Sequence, residues 1–409
     1  MPGSSADADA AADPRLATAP TGRRRMLQAL AGAAALVGPA RSAVAAAAVD
    51  PGDGQTDDPG DAIRPGRDLR FPRDHGAHPG AGIEWWYATG WLQAGGGALI
   101  GFQLTFFRSR LARPVAAPAK RPPGRFEPRQ LLFAHAAVSD LAAGRHRHAQ
   151  RLARWSGDER LPEAHARRSD TALTLGPWRL QREDLRGVSR YLARLAAPEA
   201  GFTLDLQLTS SQPVLLQGDA GYSRKGPSPG QASLYYSQPQ LAVRAELTLD
   251  GRRRQLDGRG WLDHEWSDTL LAPGAVGWDW IGINLADGGA LTLFQLRRGD
   301  GSALWAGGSH RPAGGPPRDF GPEALRWAAG RRWTSPSTGA RYPVQWTVFT
   351  PAGRFEVAAL LDAQELDSRA STGAVYWEGL VELRDEAGRR VGLGYLEMTG
   401  RAAPLRLGF

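Results

Sequence analysis

The sequence predicts an all-β protein built from two tandem antiparallel β-barrels, and three observations lead there. One pattern occurs twice. Trp86-Tyr87-Ala88-Thr89-Gly90 followed by Gly96-Gly97-Ala98-Leu99-Ile100-Gly101-Phe102 has a counterpart in Trp278-Asp279-Trp280-Ile281-Gly282 followed by Gly288-Gly289-Ala290-Leu291-Thr292-Leu293-Phe294. Trp86, Gly90, Ala98 and Phe102 fall on Trp278, Gly282, Ala290 and Phe294 at one offset, 192 residues (278 − 86). Upstream, Asp74-His75 is echoed by Asp263-His264. That period is the length of a domain and far too long for a solenoid repeat. The second observation is alternation, the mark of a half-buried strand. Leu99, Gly101, Gln103 and Thr105 share one face, and Ile100, Phe102, Leu104 and Phe106 the other. The stretches 202–208, 241–247 and 375–383 repeat it. The third is the spacing of turn signals such as Asp250-Gly251, Asp287-Gly288, Asp300-Gly301 and Glu386-Ala387-Gly388, which suits hairpins.

The chain has 409 residues, enough for two domains with cores of their own. Its 51 Gly and 30 Pro suit many turns and few helices. Short helices are expected only over 162–168 and 321–329. Five prolines between Pro114 and Pro128 mark a loop. Basic residues exceed acidic ones, 50 to 42, but only Lys120 and Lys225 are lysines and the arginines are scattered among acids. A charge total of that kind sets solubility, so no nucleic-acid partner is expected. The absence of cysteine excludes disulfides, thiolate chemistry and Cys-ligated metals.

The N-terminus reads as a targeting segment. Arg23-Arg24-Arg25-Met26-Leu27-Gln28 carries a twin-arginine pattern, an apolar run extends from Met26 to Ala40, and Ala43-Val44-Ala45 offers a cleavage site. The run is too short to span a bilayer. A periplasmic or secreted mature chain is therefore expected, peripheral to a membrane at most. The expected divisions are a signal peptide over 1–47, a linker over 48–70, and two barrel domains over 71–245 and 246–409.

The densest chemistry lies in Trp261-Leu262-Asp263-His264-Glu265-Trp266, followed by Trp278-Asp279-Trp280. Tryptophan is bulky and its N–H needs a partner when buried, so this density either builds a site or a buried polar plug. A carboxylate in an aromatic pocket has its pKa raised and can act as an acid near neutrality. Asp263, His264, Glu265 and Asp279 are the catalytic candidates. On a strand Asp263 and Glu265 share a face, with His264 beside Trp266 if the strand bends. Trp266, Trp278 and Trp280 are candidate ligand walls. Glu84-Trp85-Trp86-Tyr87 is the matching element of the first half, where Glu84 is either an active carboxylate or a structural anchor. Tyr222 and Tyr236 are candidate polar contacts, and Tyr376 and Glu378 share a strand face with Trp377 on the other. No Gly-x-Ser-x-Gly elbow, Walker loop or dinucleotide fingerprint is present, and His146-x-His148 is a weak metal pair. No cofactor and no metal are expected.

The ordered set Glu84-Trp85-Trp86-Tyr87, Tyr222-Ser223-Arg224-Lys225, Tyr235-Tyr236-Ser237, Trp261-x-Asp263-His264-Glu265-Trp266, Gly277-Trp278-Asp279-Trp280, Gln364-Glu365-Leu366 and Tyr376-Trp377-Glu378-Gly379 resembles the AttH-type secreted proteins, a group related to carotenoid 1,2-hydratase (hydroxyneurosporene synthase). The resemblance covers nearly all of the chain after residue 70. It implies two lipocalin-like barrels and an apolar, isoprenoid or lipid-like ligand. For the hydratase branch it implies addition of water across a terminal C=C without a cofactor. His264 and Trp266 match the His-x-Trp of that branch. The next strand, where the branch carries a tyrosine and an aspartate, reads Leu293-Phe294-Gln295-Leu296 here. A second implication is a non-catalytic carrier serving the permease of an ABC-type exporter, with which the group is associated.

Overall fold

The computed structural model describes residues 62–111 and 129–406. The expected signal peptide, the linker up to residue 61 and most of the proline-rich loop lie outside the described residues. Strands dominate. In chain order they are β1 (Ile83–Gln93), β2 (Leu99–Arg110), β3 (Gln130–Asp140), β4 (Arg145–Trp155), β5 (Ala164–Ala166), β6 (Ala172–Leu175), β7 (Trp178–Leu185), β8 (Val188–Ala197), β9 (Phe202–Thr209), β10 (Leu215–Leu216), β11 (Tyr222–Arg224), β12 (Ala232–Leu249) and β13 (Arg252–Ser267). Then follow β14 (Gly277–Leu285), β15 (Ala290–Arg297), β16 (Ala303–Arg311), β17 (Arg318–Phe320), β18 (Arg326–Ala329), β19 (Arg332–Thr334), β20 (Arg341–Pro343), β21 (Gln345–Thr350), β22 (Gly353–Ala359), β23 (Glu365–Ser368), β24 (Ala374–Arg384) and β25 (Arg390–Met398).

Most of them form two barrel-like antiparallel sheets of similar strand order, with β10 and β11 added on β12 and β23 on β24, while β19 and β20 pair only with each other. The first runs β4-β3-β2-β1-β13-β12-β9-β8-β7-β6-β5 and the second β17-β16-β15-β14-β25-β24-β22-β21-β18. In each, the two end strands feed the same core. Trp155 of β4 packs with Ala164 of β5, and Phe320 of β17 lies in the core that Trp327 of β18 packs against. The expected strands and hairpins are present, and the Asp250-Gly251 turn takes positive φ at both residues, the conformation a two-residue hairpin needs.

Four expectations change. Residue 245, the expected boundary, lies inside β12 and pairs with Leu256. The sheets divide between Ser267 and Gly277, because β13 pairs with β1 through Ser267 and so completes the first barrel. Residues 62–70 are not linker in character. Ile63 and Leu69 pack on the first core, and Arg67 bonds Asp74. The stretch 162–168 holds strand β5, whose Ala164 and Ala166 alternate into the core, and 321–329 holds one 3₁₀ turn followed by β18. Finally, the sequence repeat at 192 is one residue out of structural register. Trp86 and Phe102 face the first core, whereas Trp278 packs on, and Phe294 belongs to, the cluster between the barrels. Gly90 pairs with Phe102, and Ile281 pairs with Leu293, so the structural offset is 191 (281 − 90 and 293 − 102). A slip of one residue exchanges the two faces of a strand.

The seam between the barrels is where the site forms. Strands β1, β2, β12 and β13 turn one face into the first core. Their other face meets β14, β15, β24 and β25 in a separate aromatic cluster that includes Tyr87, Trp91, Trp261, Trp280, Phe294, Leu380 and Tyr395.

Candidate functional site

Strict alternation along β13 splits the densest sequence cluster into two sites. Its pairing with β1 runs unbroken from Gly260 to Ser267, so no bend is needed to put His264 beside Trp266. Asp263 and Glu265 point into the seam; His264 and Trp266 point into the first barrel.

The barrel-side group is a closed polar network. Glu84 on β1 accepts from Arg108 Nε at 2.8 Å on Oε2, and its Oε1 lies 2.7 Å from His78 Nδ1 and 2.9 Å from His264 Nε2. His78 Nε2 reaches Asp74 at 3.0 Å, and the Tyr236 hydroxyl bridges His75 (2.7 Å) and His264 (3.1 Å). Arg108 spends its other donors on Gln130 and on the carbonyls of His78 and Ala81. The Trp266 ring stacks on His78 at 3.7 Å between centroids, and Trp86 stacks on His264 at 4.5 Å. Burial opposes ionisation of Glu84, but Arg108 and His78 outweigh it and hold the carboxyl well below its usual range. Burial pushes His264 down to about 4 and His75 to about 2. Ligand atoms of His78, Glu84 and His264 lie within 4.8 Å of one another, which is metal-like geometry. Here these atoms pair with one another through Glu84 Oε1, and Arg108 supplies positive charge on Oε2. The set therefore works as a plug that pins the 3₁₀ turn Arg73–His75 and the following loop into the barrel. These contacts suit the structural-anchor reading of Glu84.

The seam holds a cavity of about 90 Å³ lined by Tyr87, Trp278, Trp280, Phe294, Tyr376 and Glu378, together with Asp263, Glu265 and Glu397. Asp263 accepts from Ser237 (2.5 Å) and Trp261 Nε1 (2.7 Å) on one oxygen and from Tyr235 (2.8 Å) on the other. Burial nonetheless raises its pKa to about 7. Glu265 pairs with Lys225 at 3.0 Å and accepts from Ser233, while the Lys225 ammonium lies 4.0 Å from the Phe294 ring centroid. Glu378 of β24 sits directly across from Glu397 of β25. Two like carboxyls facing each other in a dry site cannot both ionise cheaply. Burial, then Glu397, pushes Glu378 well above the usual range, and burial lifts Glu397 to about 8. The Tyr87 and Tyr376 hydroxyls lie close enough to the Glu378 carboxyl to lower its pKa, though less than burial and Glu397 raise it, and neither the Tyr87 hydroxyl nor Glu378 Oε1 makes a well-aligned hydrogen bond among the described residues. This arrangement sets carboxyls with raised pKa values beside tyrosine hydroxyls inside aromatic walls.

The remaining candidates lie elsewhere. Asp279 points into the second barrel and is held by Arg401 at 2.7 Å, Arg297 at 3.0 Å and Gln295 at 2.9 Å. Its side chain cannot reach the seam because its neighbours Trp278 and Trp280 occupy that face. The Tyr222 hydroxyl donates to the Pro229 carbonyl at 2.6 Å, which ties a loop down. Trp86, Tyr236 and Trp266 belong to the plug. Tyr376 and Glu378 share the seam face, with Trp377 in the second core, as the alternation of β24 demands. Sequence reasoning gave no role to Glu397, Lys225 or His135, and Tyr235 and Lys225 entered it only as members of motifs. His135 on β3 bonds Tyr376 across the seam at 2.7 Å and Ser371 at 2.8 Å. Glu397 was detectable in principle, since it shares a strand face with Tyr395.

The titration of Asp263 gives a prediction with a definite sign. Its folded pKa lies above its ordinary 3.8, so the folded state binds the extra proton and stability falls as pH rises from about 4 to about 7. One unit is about 1.4 kcal/mol, so the shift is worth several kcal/mol. Asp263→Asn keeps an oxygen for Ser237 and Trp261 and can offer its amide to Tyr235. Relative to wild type, the variant is expected to gain stability as pH rises from about 4 to about 7, read as urea midpoints. A difference that stays constant with pH would contradict the raised value.

Fold and site together define a tandem lipocalin-like barrel protein with an acid-bearing aromatic cavity at its seam. The AttH-like family model matches residues 62–401, and the chain belongs to that family. A crystal structure assigned to AttH from Nitrosomonas europaea is 44% identical, covers 83% of this chain and 99% of its own, and superposes with a TM-score of 0.74. Kievitone hydratase from Nectria haematococca shares the fold at 14% identity, covering 83% of this chain and 94% of its own, with a TM-score of 0.61. No curated protein matches the sequence.

Proposed function

We propose that the seam cavity binds an apolar, isoprenoid or lipid-like ligand and hydrates a C=C bond in it by acid catalysis. The observation that carries this reading is the placement of Glu378, buried among aromatic rings and set directly across from Glu397, where burial and that second carboxyl push its pKa well above the usual range. Glu378 gives its proton to one alkene carbon. The cation left on the other carbon faces Trp280, Phe294 and Tyr87. Water adds to that carbon, and the proton it releases passes to the Glu378 carboxylate, directly or by way of Asp263, which restores the acid. Asp263, whose oxygens are engaged by three donors, and Glu265, paired with Lys225, are better placed to accept a proton than to donate one. Likeness of fold to a hydratase supports the reaction class, and the twin-arginine pattern supports export to the periplasm. A carrier for the same ligand, passed to an exporter permease, differs only in lacking the proton step. Neutral acids favour the enzyme, because a carrier for an apolar ligand gains nothing from them.

The test is native mass spectrometry of the chain purified from the periplasmic fraction, with organic extraction of what it retains. Recovery of an apolar ligand together with its water adduct is the expected result. Ligand without adduct would leave the carrier, and an empty chain would overturn both readings.

A further inference from the structure

A second cavity opens at the end of the second barrel, on the opposite face of the strand that lines the seam. On β15, Phe294 and Leu296 face the seam, while Gln295 and Arg297 face this cavity of about 1060 Å³. The two sites share no lining residue. Two of its lining residues, the buried Arg297 and the partly buried Arg401, are both held by Asp279 behind them, so one carboxylate faces two guanidinium groups and a positive charge is left over. Burial and the neighbouring Arg401 depress the pKa of Arg297, although Asp279 opposes them. Arg332 and Arg341 stand on the exposed rim, with Asp300 and Glu323 also present there.

The unmatched atoms here are all donors. The indole nitrogens of Trp327 and Trp346 and Nε of Arg401 are buried and find no acceptor among the described residues. The two indoles meet edge to face at 5.5 Å, and Arg401 lies 5.7 Å from the Trp346 ring centroid. These donors belong to residues that line the cavity but are themselves shielded from it, so what a ligand meets there is the excess positive charge and the faces of the tryptophans, which suits an anion carried on a ring. We propose that the open end of the second barrel is a binding site for an organic anion, a carboxylate or phosphate attached to a ring that packs on the tryptophans. The assignment is independent of the chemistry at the seam, whose carboxyls disfavour an anion.

The test uses the full chain and three fluorescent probes, 1-naphthoate, 1-naphthyl phosphate and the uncharged 1-naphthamide, followed by anisotropy. Saturable binding of at least one anion is expected, and whichever binds tighter identifies the head group. Arg401→Met should weaken it by roughly tenfold or more, the value of a charged hydrogen bond. Arg341→Gln and Arg332→Gln, on the exposed rim, should weaken it less and leave folding untouched, so a misfolded Arg401 variant does not decide the matter. Asp263→Asn at the seam should change nothing. Failure of both anions to bind, or anion binding unaltered by the Arg401 and rim variants alike, would overturn the proposal.

Discussion

Replacing Glu84 by alanine is expected to lower folding stability by about 3–5 kcal/mol, the cost of leaving a buried charge without its partner. Arg108 is fully buried, and its Nε faces Glu84. Without that carboxylate its charge has no counter-ion within the network. His78 and His264 would lose their common acceptor at the same time. The loop after the 3₁₀ turn Arg73–His75 would then detach, since the His78 amide also donates to Glu84 at 2.9 Å. Urea unfolding measures the loss. The double variant Glu84→Gln, Arg108→Met should recover part of it, because removing both charges removes the desolvation cost along with the attraction. A loss under about 1 kcal/mol, the worth of an exposed pair, would show that the plug is solvated.

The largest functional effect is expected at Glu378. Glu378→Gln keeps the shape and polarity of the side chain and removes the proton. In the extraction experiment the variant should retain ligand while the fraction recovered as water adduct falls by roughly 10²–10⁴, the range that general acid catalysis contributes. Tyr87→Phe, which removes the hydroxyl beside Glu378, should reduce the adduct less. Loss of ligand together with adduct would assign Glu378 to binding. An unchanged adduct fraction would take it out of the chemistry altogether.

The fold was legible because alternation and turn chemistry are local. Asp250-Gly251 and the stretch 375–383 each state their conformation within a few residues. The duplication was legible as well, but its faces were not. Matching letters put Trp86 on Trp278, yet Trp86 stacks on His264 inside the first barrel while Trp278 lines the seam. Only cross-strand pairing fixes which of two offsets is structural. The site was legible as a density of acids and tryptophans around 261–280. Its division was not, because that depends on what each face of β13 meets. Asp279 looked like its neighbours in sequence, and its role is set by Arg401, more than a hundred residues away. Glu397 escaped notice for a similar reason. Its carboxyl matters because β24 and β25 pair Glu378 against it, and no local pattern announces that partnership.

The central claim is that the seam holds a neutral carboxylic acid at neutral pH, and infrared spectroscopy tests it most directly. The spectrum of the wild-type chain minus that of Glu378→Gln, recorded near pH 7, should contain the carbonyl stretch of a protonated carboxyl. A difference spectrum that contains only carboxylate bands would contradict the account.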